Sequence, residues 1–261
     1  MAAPVEKGNI VVAIFYDFET GGTDCQKSAA TQLSLHAVRL DTFEVMDKYN
    51  AYIYPYNKKS DIGKPKRKIL KNKYDVDVEE ELMEYSQVAL DISGVTMDLL
   101  YQQGKPLEVV CNEVCDFIER NTFPVVPSNK PFMVGQNPLF DKGFMQQIML
   151  YTGVWSRFIK LVRGAKDFWG NFQPAQLDTI MLSQLTFDDD KSITTWKLEA
   201  MAERLGIDLD DAHDADADVT ATREIVRVLT ARMRSQSVGG GAEVGGLTAE
   251  KREKLRDHFK I

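Results

Sequence analysis

The sequence predicts an α/β fold, a mixed sheet flanked by helices, on three observations. The apolar run "VVAIFY" opens a strand that ends in "DFETGG". Two alternating segments follow it closely. Beyond about residue 78 the apolar spacing becomes helical, interrupted by one short apolar strand, "PFMVGQ".

The first strand, from Val11, is apolar at successive positions, the pattern of a strand covered on both faces. Its end is unusual. Asp17 and Glu19 stand at alternate positions, so their side chains point to one face and repel each other. Gly21 and Gly22 then break the strand, which is ordinary turn chemistry taken alone. "TQLSLHAVRL" (31–40) and "EVMDKYNAYIYP" (44–55) alternate and are joined by a polar turn at Asp41 and Thr42, making a three-stranded meander. Helices are expected at about 78–90 and 106–119. After the strand at 131–136, Asn137 is placed to cap the helix "NPLFDKGFMQQIMLYTG", and Pro138 suits its first turn. An aromatic connection, "KDFWGNFQPAQ", leads to helices at about 178–185, 195–205 and 214–234. The main domain therefore covers residues 1–234. "SQSVGGGAEVGG" is a flexible linker over 235–246, and "LTAEKREKLRDHFKI" can form a short amphipathic helix at 247–261.

Composition narrows the function classes. With 261 residues and 44% hydrophobic content, the chain can bury a sizeable core. "MAAPVEKGN" has no apolar signal core and no window is apolar enough to span a bilayer, so a soluble, cytoplasmic protein without a membrane partner is expected. Cys25, Cys111 and Cys115 make neither a CxxC pair nor a zinc pattern, and Cys111 and Cys115, four apart on an expected helix, should face the core. The formal charge of −7 weighs against nucleic acid as a partner. Yet 58–73 holds eight basic residues and one acid, +7 locally, which leaves −14 for the rest. This basic insertion, about 57–74, reads either as a phosphate-binding element containing Lys66, Arg67 and Lys68 or as a solvated loop.

Acids recur at the edges of other elements: Asp141 in the first turn after "GQN", and Asp218 early in the last long helix. A favourable interaction with a helix N-terminus would explain each singly. It does not explain His213. Five positions of helix turn through about 500°, so His213 and Asp218 reach one site only if His213 lies in the loop before the helix.

These residues resemble the motifs of the DEDD exonucleases of the histidine subtype, whose members include the proofreading epsilon subunit of bacterial replicases, ribonuclease T and oligoribonuclease. "DFETGG" matches the first motif, with Asp17 and Glu19; "NPLFD" matches the second, with Asn137 four positions before Asp141. "HDADAD" matches the third, H-x-A-x-x-D, through His213, Ala215 and Asp218. "LDTIMLS" and "WKLEAMAERLGI" are similar to the family's stretches between the second and third motifs. The resemblance covers about residues 10–229 with the motifs in order. It departs from the family at Gln136, where His is frequent, at Pro138, which replaces a small residue, and at the basic insertion.

The resemblance implies a ribonuclease H-like fold and a metal-dependent 3′–5′ exonuclease, hydrolysing DNA, preferably at single-stranded 3′ ends, to nucleoside 5′-monophosphates. It implies two Mg²⁺ or Mn²⁺ ions, with Asp17 bridging both, Glu19 and Asp218 holding the one that activates water, and Asp141 supporting the second. His213 would accept the proton of the attacking water; an imidazole, ordinarily titrating near about 6.5, is mostly neutral above pH 7. The chemistry agrees, because crowded carboxylates need cations and hard oxygen ligands suit these metals. Two ions roughly 3.5–4 Å apart clamp the attacking and leaving oxygens of an in-line displacement. Backbone around Thr20 and Gly21 would approach the terminal nucleotide, with Phe18 and Asn137 as further contacts. Phe18, Phe168, Trp169 and Phe172 would stack on bases, the last three otherwise packing in the core. Two other readings stay open: a 3′–5′ exoribonuclease acting on short or single-stranded RNA, separable only by contacts to the 2′-hydroxyl, and a nuclease-fold docking subunit of a replication complex. The tail, 247–261, would dock on a polymerase or other replication partner, pack on its own domain, or stay disordered.

Overall fold

In a computed structural model, which describes residues 11–59, 81–122, 130–209 and 213–235, the apolar opening run forms the central strand of a five-stranded sheet. β1 (Val12–Thr20), β2 (Ala30–Arg39) and β3 (Val45–Tyr52) make the antiparallel meander. β4 (Phe132–Gly135) pairs parallel to β1, and β7 (Gln176–Asp178) pairs parallel to β4, giving the order β3-β2-β1-β4-β7. A short hairpin, β5 (Gly164–Lys166) with β6 (Phe172–Pro174), stands apart from this sheet.

The unbroken apolar run follows from what covers the sheet. Val12, Ile14, Tyr16 and Phe18 of β1 enter a core shared with α3 (Leu107–Arg120), α4 (Pro138–Tyr151) and α5 (Trp155–Leu161). The alternate residues Ala13 and Phe15 meet Val219 and Val226 of α8 (Ala215–Ser235) on the opposite face. Both faces are dry, so both rows are apolar until the strand reaches Asp17. Cys111 and Cys115 are fully buried in the first core, as their spacing predicts. α8 buries Ala215, Val219, Thr222, Val226 and Leu229 at helical spacing, and its flank holds α7 (Leu198–Leu205) through Ala221 and Ile225. Among the described residues no helix is long and apolar enough to cross a membrane.

Several expected boundaries move. The helix expected at 78–90 begins only at Gln87, as α1 (Gln87–Ser93), because residues 81–86 run extended and pair elsewhere. Met83 N–H donates to the carbonyl of Tyr56, Glu84 N–H to that of Lys27 and Ser86 N–H to that of Gly21. Ladder bonds made across the chain satisfy this backbone without a helix. α2 (Met97–Gln103) was not expected; Thr96 caps it, accepting from Leu99 N–H at 3.1 Å. α5, the hairpin β5–β6 and β7 are likewise additions, in segments too short to show periodicity. α6 (Thr179–Thr186) begins after Asp178, whose side chain accepts from Ile180 N–H at 2.9 Å. Lys66, Arg67 and Lys68, the linker from residue 236 and the tail lie outside the described residues.

Candidate active site

Strand alternation puts Asp17 and Glu19 in the same row as Ala13 and Phe15, on the face covered by α8. There they meet Asp218: carboxylate oxygens of Asp17, Glu19 and Asp218 all lie within 4.8 Å of one another. Among the described residues this is the group of acids, His and Cys close enough to hold a metal ion. One oxygen of Asp218, Oδ1, is buried with no hydrogen-bond partner among them, an unfilled acceptor.

What brings Asp218 to the strand end is a polar row on β2 that sequence reasoning missed. Gln32, Ser34 and His36 are buried polar residues at alternate positions on β2, and Glu19 and Asp17 pair with Gln32 and Ser34 across the β1–β2 ladder. The row grips the N-terminus of α8. Gln32 Nε2 donates to Asp214 Oδ2 at 3.0 Å, and Ser34 Oγ donates to Asp216 Oδ1 at 3.0 Å. His36 Nε2 lies 2.7 Å from the same Asp216 oxygen, and Lys48 Nζ is 3.6 Å from Asp216 Oδ2. Asp214 also caps α8, accepting from the backbone of Asp216 and Ala217. The alternating acids of "HDADAD" were the available signal: Asp214 and Asp216 hold the helix in place, and Asp218 completes the cluster.

Asp141 arrives from the other face. It is buried in the first turn of α4, and the backbone N–H of Phe18, between Asp17 and Glu19, donates to its Oδ1 at 3.1 Å. It is the first of the neighbouring charges acting on Asp17, although it stands outside the group of three. Tyr16 fixes the start of α4 through a hydrogen bond from its hydroxyl to the Pro138 carbonyl at 3.0 Å. Asn137 occupies the N-cap position but its side chain makes no cap bond; it adopts a left-handed conformation, φ 53°, that Asn tolerates. Its N–H donates to Asp178 Oδ1 at 3.1 Å, and its side chain is exposed. At Gln136, the departure from the family pattern, Nε2 donates to the Trp196 carbonyl at 2.8 Å and the amide oxygen accepts from Thr179, so the residue ties α4 to its neighbours.

His213 sits in the loop before α8 at φ 73°, the placement that the 500° argument required. Its ring is half-exposed, with Nε2 3.8 Å from Glu199 Oε1, and its backbone amide donates to Asp218. Phe18 is a correction: its ring is buried against Phe144 in the core, so it offers the site its backbone and not a stacking surface. Thr20 Oγ1 donates to the Gly22 carbonyl, and a Cβ on Gly21 would come within 2.5 Å of the Glu84 carbonyl oxygen. Gly21 is thus required by close backbone approach. Phe172 packs partly buried on the core, whereas Phe168 and Trp169 are 94% and 80% exposed.

The electrostatics are those of crowded, buried carboxyls that resist ionisation. Burial, reinforced by Asp141, Asp218 and Glu19, holds the Asp17 carboxyl well above the usual range. Burial with Asp218 and Asp141 pushes Glu19 up to about 8. Burial raises Asp141 to about 7, opposed by the Phe18 N–H, and raises Asp218 to about 6, opposed by His213. A divalent cation would reverse each of these penalties, and the all-oxygen donor set suits a hard one.

A mixed sheet of this order, covered by helices on both faces, is the ribonuclease H-like fold. Solved structures of exonuclease I share it. The complex of E. coli exonuclease I with a dT13 oligonucleotide matches at TM-score 0.59 and 16% identity, over 86% of this chain and 42% of that one. The zinc-bound E. coli ExoI–ssDNA complex matches at 0.59 and 17% identity, over 87% and 42%. The ExoI/SSB-Ct complex matches at 0.57 and 16% identity, again over 87% and 42%. The chain therefore spans less than half the length of these neighbours. No protein-family model matches the sequence, and no curated protein matches it.

Proposed function

We propose that the chain is a metal-dependent 3′–5′ exonuclease that hydrolyses single-stranded DNA from its 3′ end and releases nucleoside 5′-monophosphates. The observation that carries this reading is the meeting of Asp17, Glu19 and Asp218 within 4.8 Å, with Asp141 bonded to the backbone between the first two. Asp17, Glu19 and Asp218 would hold one Mg²⁺ or Mn²⁺, and Asp17 with Asp141 a second; bound there, such ions neutralise the phosphodiester and clamp the attacking and leaving oxygens. The chain's own groups do the rest. His213, on a loop whose backbone is bonded to Asp218, takes the proton of the attacking water as general base. The Thr20–Gly22 turn, which only glycine permits at its closest approach, presents backbone to the terminal nucleotide. Asn137, exposed at the start of α4, would be a further contact to the nucleotide.

The basic insertion fits the same reading. The residues flanking it are bonded to one another, Lys58 N–H to the Glu81 carbonyl, and residues 84–86 are bonded to the loop of Gly21 and Ala29. The described residues on either side of it, Lys58 and 81–86, therefore lead toward the turn that follows Glu19, and Lys66, Arg67 and Lys68 would contact the nucleic-acid backbone leading to the site. The tail, 247–261, is proposed to dock on a replication partner such as a polymerase.

The deciding experiment is turnover of matched 3′-labelled single-stranded DNA, duplex DNA and RNA with Mg²⁺ or Mn²⁺. Release of mononucleotides from single-stranded DNA, lost in EDTA, is expected. Equal or faster release from RNA would make the protein an exoribonuclease, and no release from any substrate would leave a nuclease-fold docking subunit.

A further inference from the structure

The structure assigns to the tip of the β5–β6 hairpin a second contact with the substrate strand: we propose that Phe168 and Trp169 form a stacking platform for unpaired bases upstream of the cleaved end. The inference rests on the reading of the substrate as nucleic acid and adds a subsite outside the carboxylate centre.

Three features of the hairpin converge. First, its tip exposes two adjacent aromatic side chains, at 94% and 80%, with rings edge-to-face at a centroid separation of 5.7 Å. Second, this exposure is built into a fixed turn. Asp167 Oδ1 accepts from the backbone N–H of Trp169 at 3.0 Å and of Asn171 at 2.8 Å, and its Oδ2 accepts from Gln173 Nε2 at 3.0 Å. Asp167 N–H bonds to the Asn171 carbonyl, and Gly170 takes φ 84° to close the turn. At the other end the hairpin is anchored: Phe172 packs on the core and its ring covers Gly164, where a Cβ would come within 2.4 Å of it. A preorganised turn holds both rings out at little further entropic cost on binding.

Third, the charge around the hairpin selects the partner. Lys166 lies on the hairpin and Arg163, its guanidinium 5.6 Å over the Phe132 ring, immediately precedes it, against one acid, Asp167, whose carboxylate is already taken up by the turn. The Arg163 N–H bonds to the Pro131 carbonyl, which brings Lys130 to the same base. A protein of net charge −7 thus places two exposed aromatics and Lys166 on one projection with Arg163 and Lys130 at its base, the combination that binds single strands: π-faces for bases and cations for phosphates. The projection is also tied to the catalytic end of α4. Lys142, the residue after Asp141, donates to Gln173 Oε1 at 3.0 Å, and at most roughly 14 Å of extended chain separates Gln173 from Trp169.

The test uses the full-length protein and a long oligothymidylate in EDTA, so that binding is read without turnover. Oligothymidylate should quench fluorescence in the wild type. In Trp169→Phe that quench should be lost while affinity is kept, because a phenyl ring still stacks. The Phe168→Ala/Trp169→Ala protein should bind on the order of 5- to 100-fold more weakly per base lost from the stack. It should still hydrolyse a dinucleotide at the wild-type rate, which separates this subsite from the active centre. An oligomer of abasic sugar-phosphate should bind wild type and double variant alike. Unchanged oligothymidylate affinity in the double variant overturns the platform even where the wild type is an active nuclease. If the double substitution instead converts a self-associated wild type to monomer without altering oligonucleotide affinity, the tip is an interface between copies and the proposal fails. An inactive wild type that still shows the quench and its loss would sink the hydrolysis reading and leave the platform standing.

Discussion

Replacing Asp17 by Asn should stabilise the metal-free protein at alkaline pH while abolishing its response to divalent cations. Glu19, held at about 8 against an ordinary 4.5, stores about 5 kcal/mol of unfavourable ionisation at a rate of about 1.36 kcal/mol per unit. That is a ceiling, because burial is its largest cause and the partly open site is screened by water. Two charges 4.8 Å apart repel by ~3.5 kcal/mol at an effective dielectric of ~20. Removing one member should therefore gain about 1–3 kcal/mol, or very roughly 3–10 °C in melting temperature for a domain of this size.

The sign follows from linkage. The cluster carboxyls titrate higher folded than unfolded, so their full contribution is present below about pH 4 and is lost as pH rises toward 8, where the unfolded chain has already released its protons. In EDTA, the wild-type melting temperature should fall from pH 5 to pH 9, and Asp17→Asn should fall less steeply and overtake it. Saturating Mn²⁺ or Mg²⁺, worth about 2.7 kcal/mol at a hundred times Kd, should restore the wild type and leave the variant unmoved. A variant that melts below wild type at pH 8.5 in EDTA, or one that metal stabilises equally, would refute a cation-binding cluster built on Asp17.

His213→Ala should lower kcat by about 10²–10⁴-fold yet keep the metal-induced rise in melting temperature, since the ring stands outside the carboxylate group; a normal kcat would reassign it to the loop's structure. Neutralising Lys66, Arg67 and Lys68 together should weaken binding of long single strands and flatten its dependence on salt by up to about three log units per log unit, with little effect on a dinucleotide. An unchanged slope would leave the insertion as a solvated loop. Deleting 236–261 should leave hydrolysis of a short single strand intact and remove association with a polymerase; joint loss of thermal stability and activity would place the tail within the domain.

The acids were legible because their signals are local. Alternation along one strand puts Asp17 and Glu19 on one face, the ordered motifs resembling a known family single out Asp141 and Asp218, and helical pitch puts His213 in the loop before α8 once it is to share a site with Asp218. The meander, the short apolar strand and the long helices follow from periodicity of the same short range. Boundaries failed where backbone bonds were made at a distance, as at 81–86, whose partners lie near residues 21–29 and 56–58.

By itself, then, the sequence determined the fold class, from spacing within single elements, and pointed to the acidic residues and His213 through ordered motifs that resemble a known family. Only the tertiary structure shows what brings the carboxylates together, and with what partners. Asp17, Glu19 and Asp218 gather because Gln32, Ser34 and His36 on β2 grip Asp214 and Asp216, contacts spanning 180 to 182 residues. It also divided the aromatics, burying Phe18 and exposing Phe168 and Trp169. Register between a strand and a helix so far apart is set by the packing of the whole sheet, and no pattern confined to either segment encodes it.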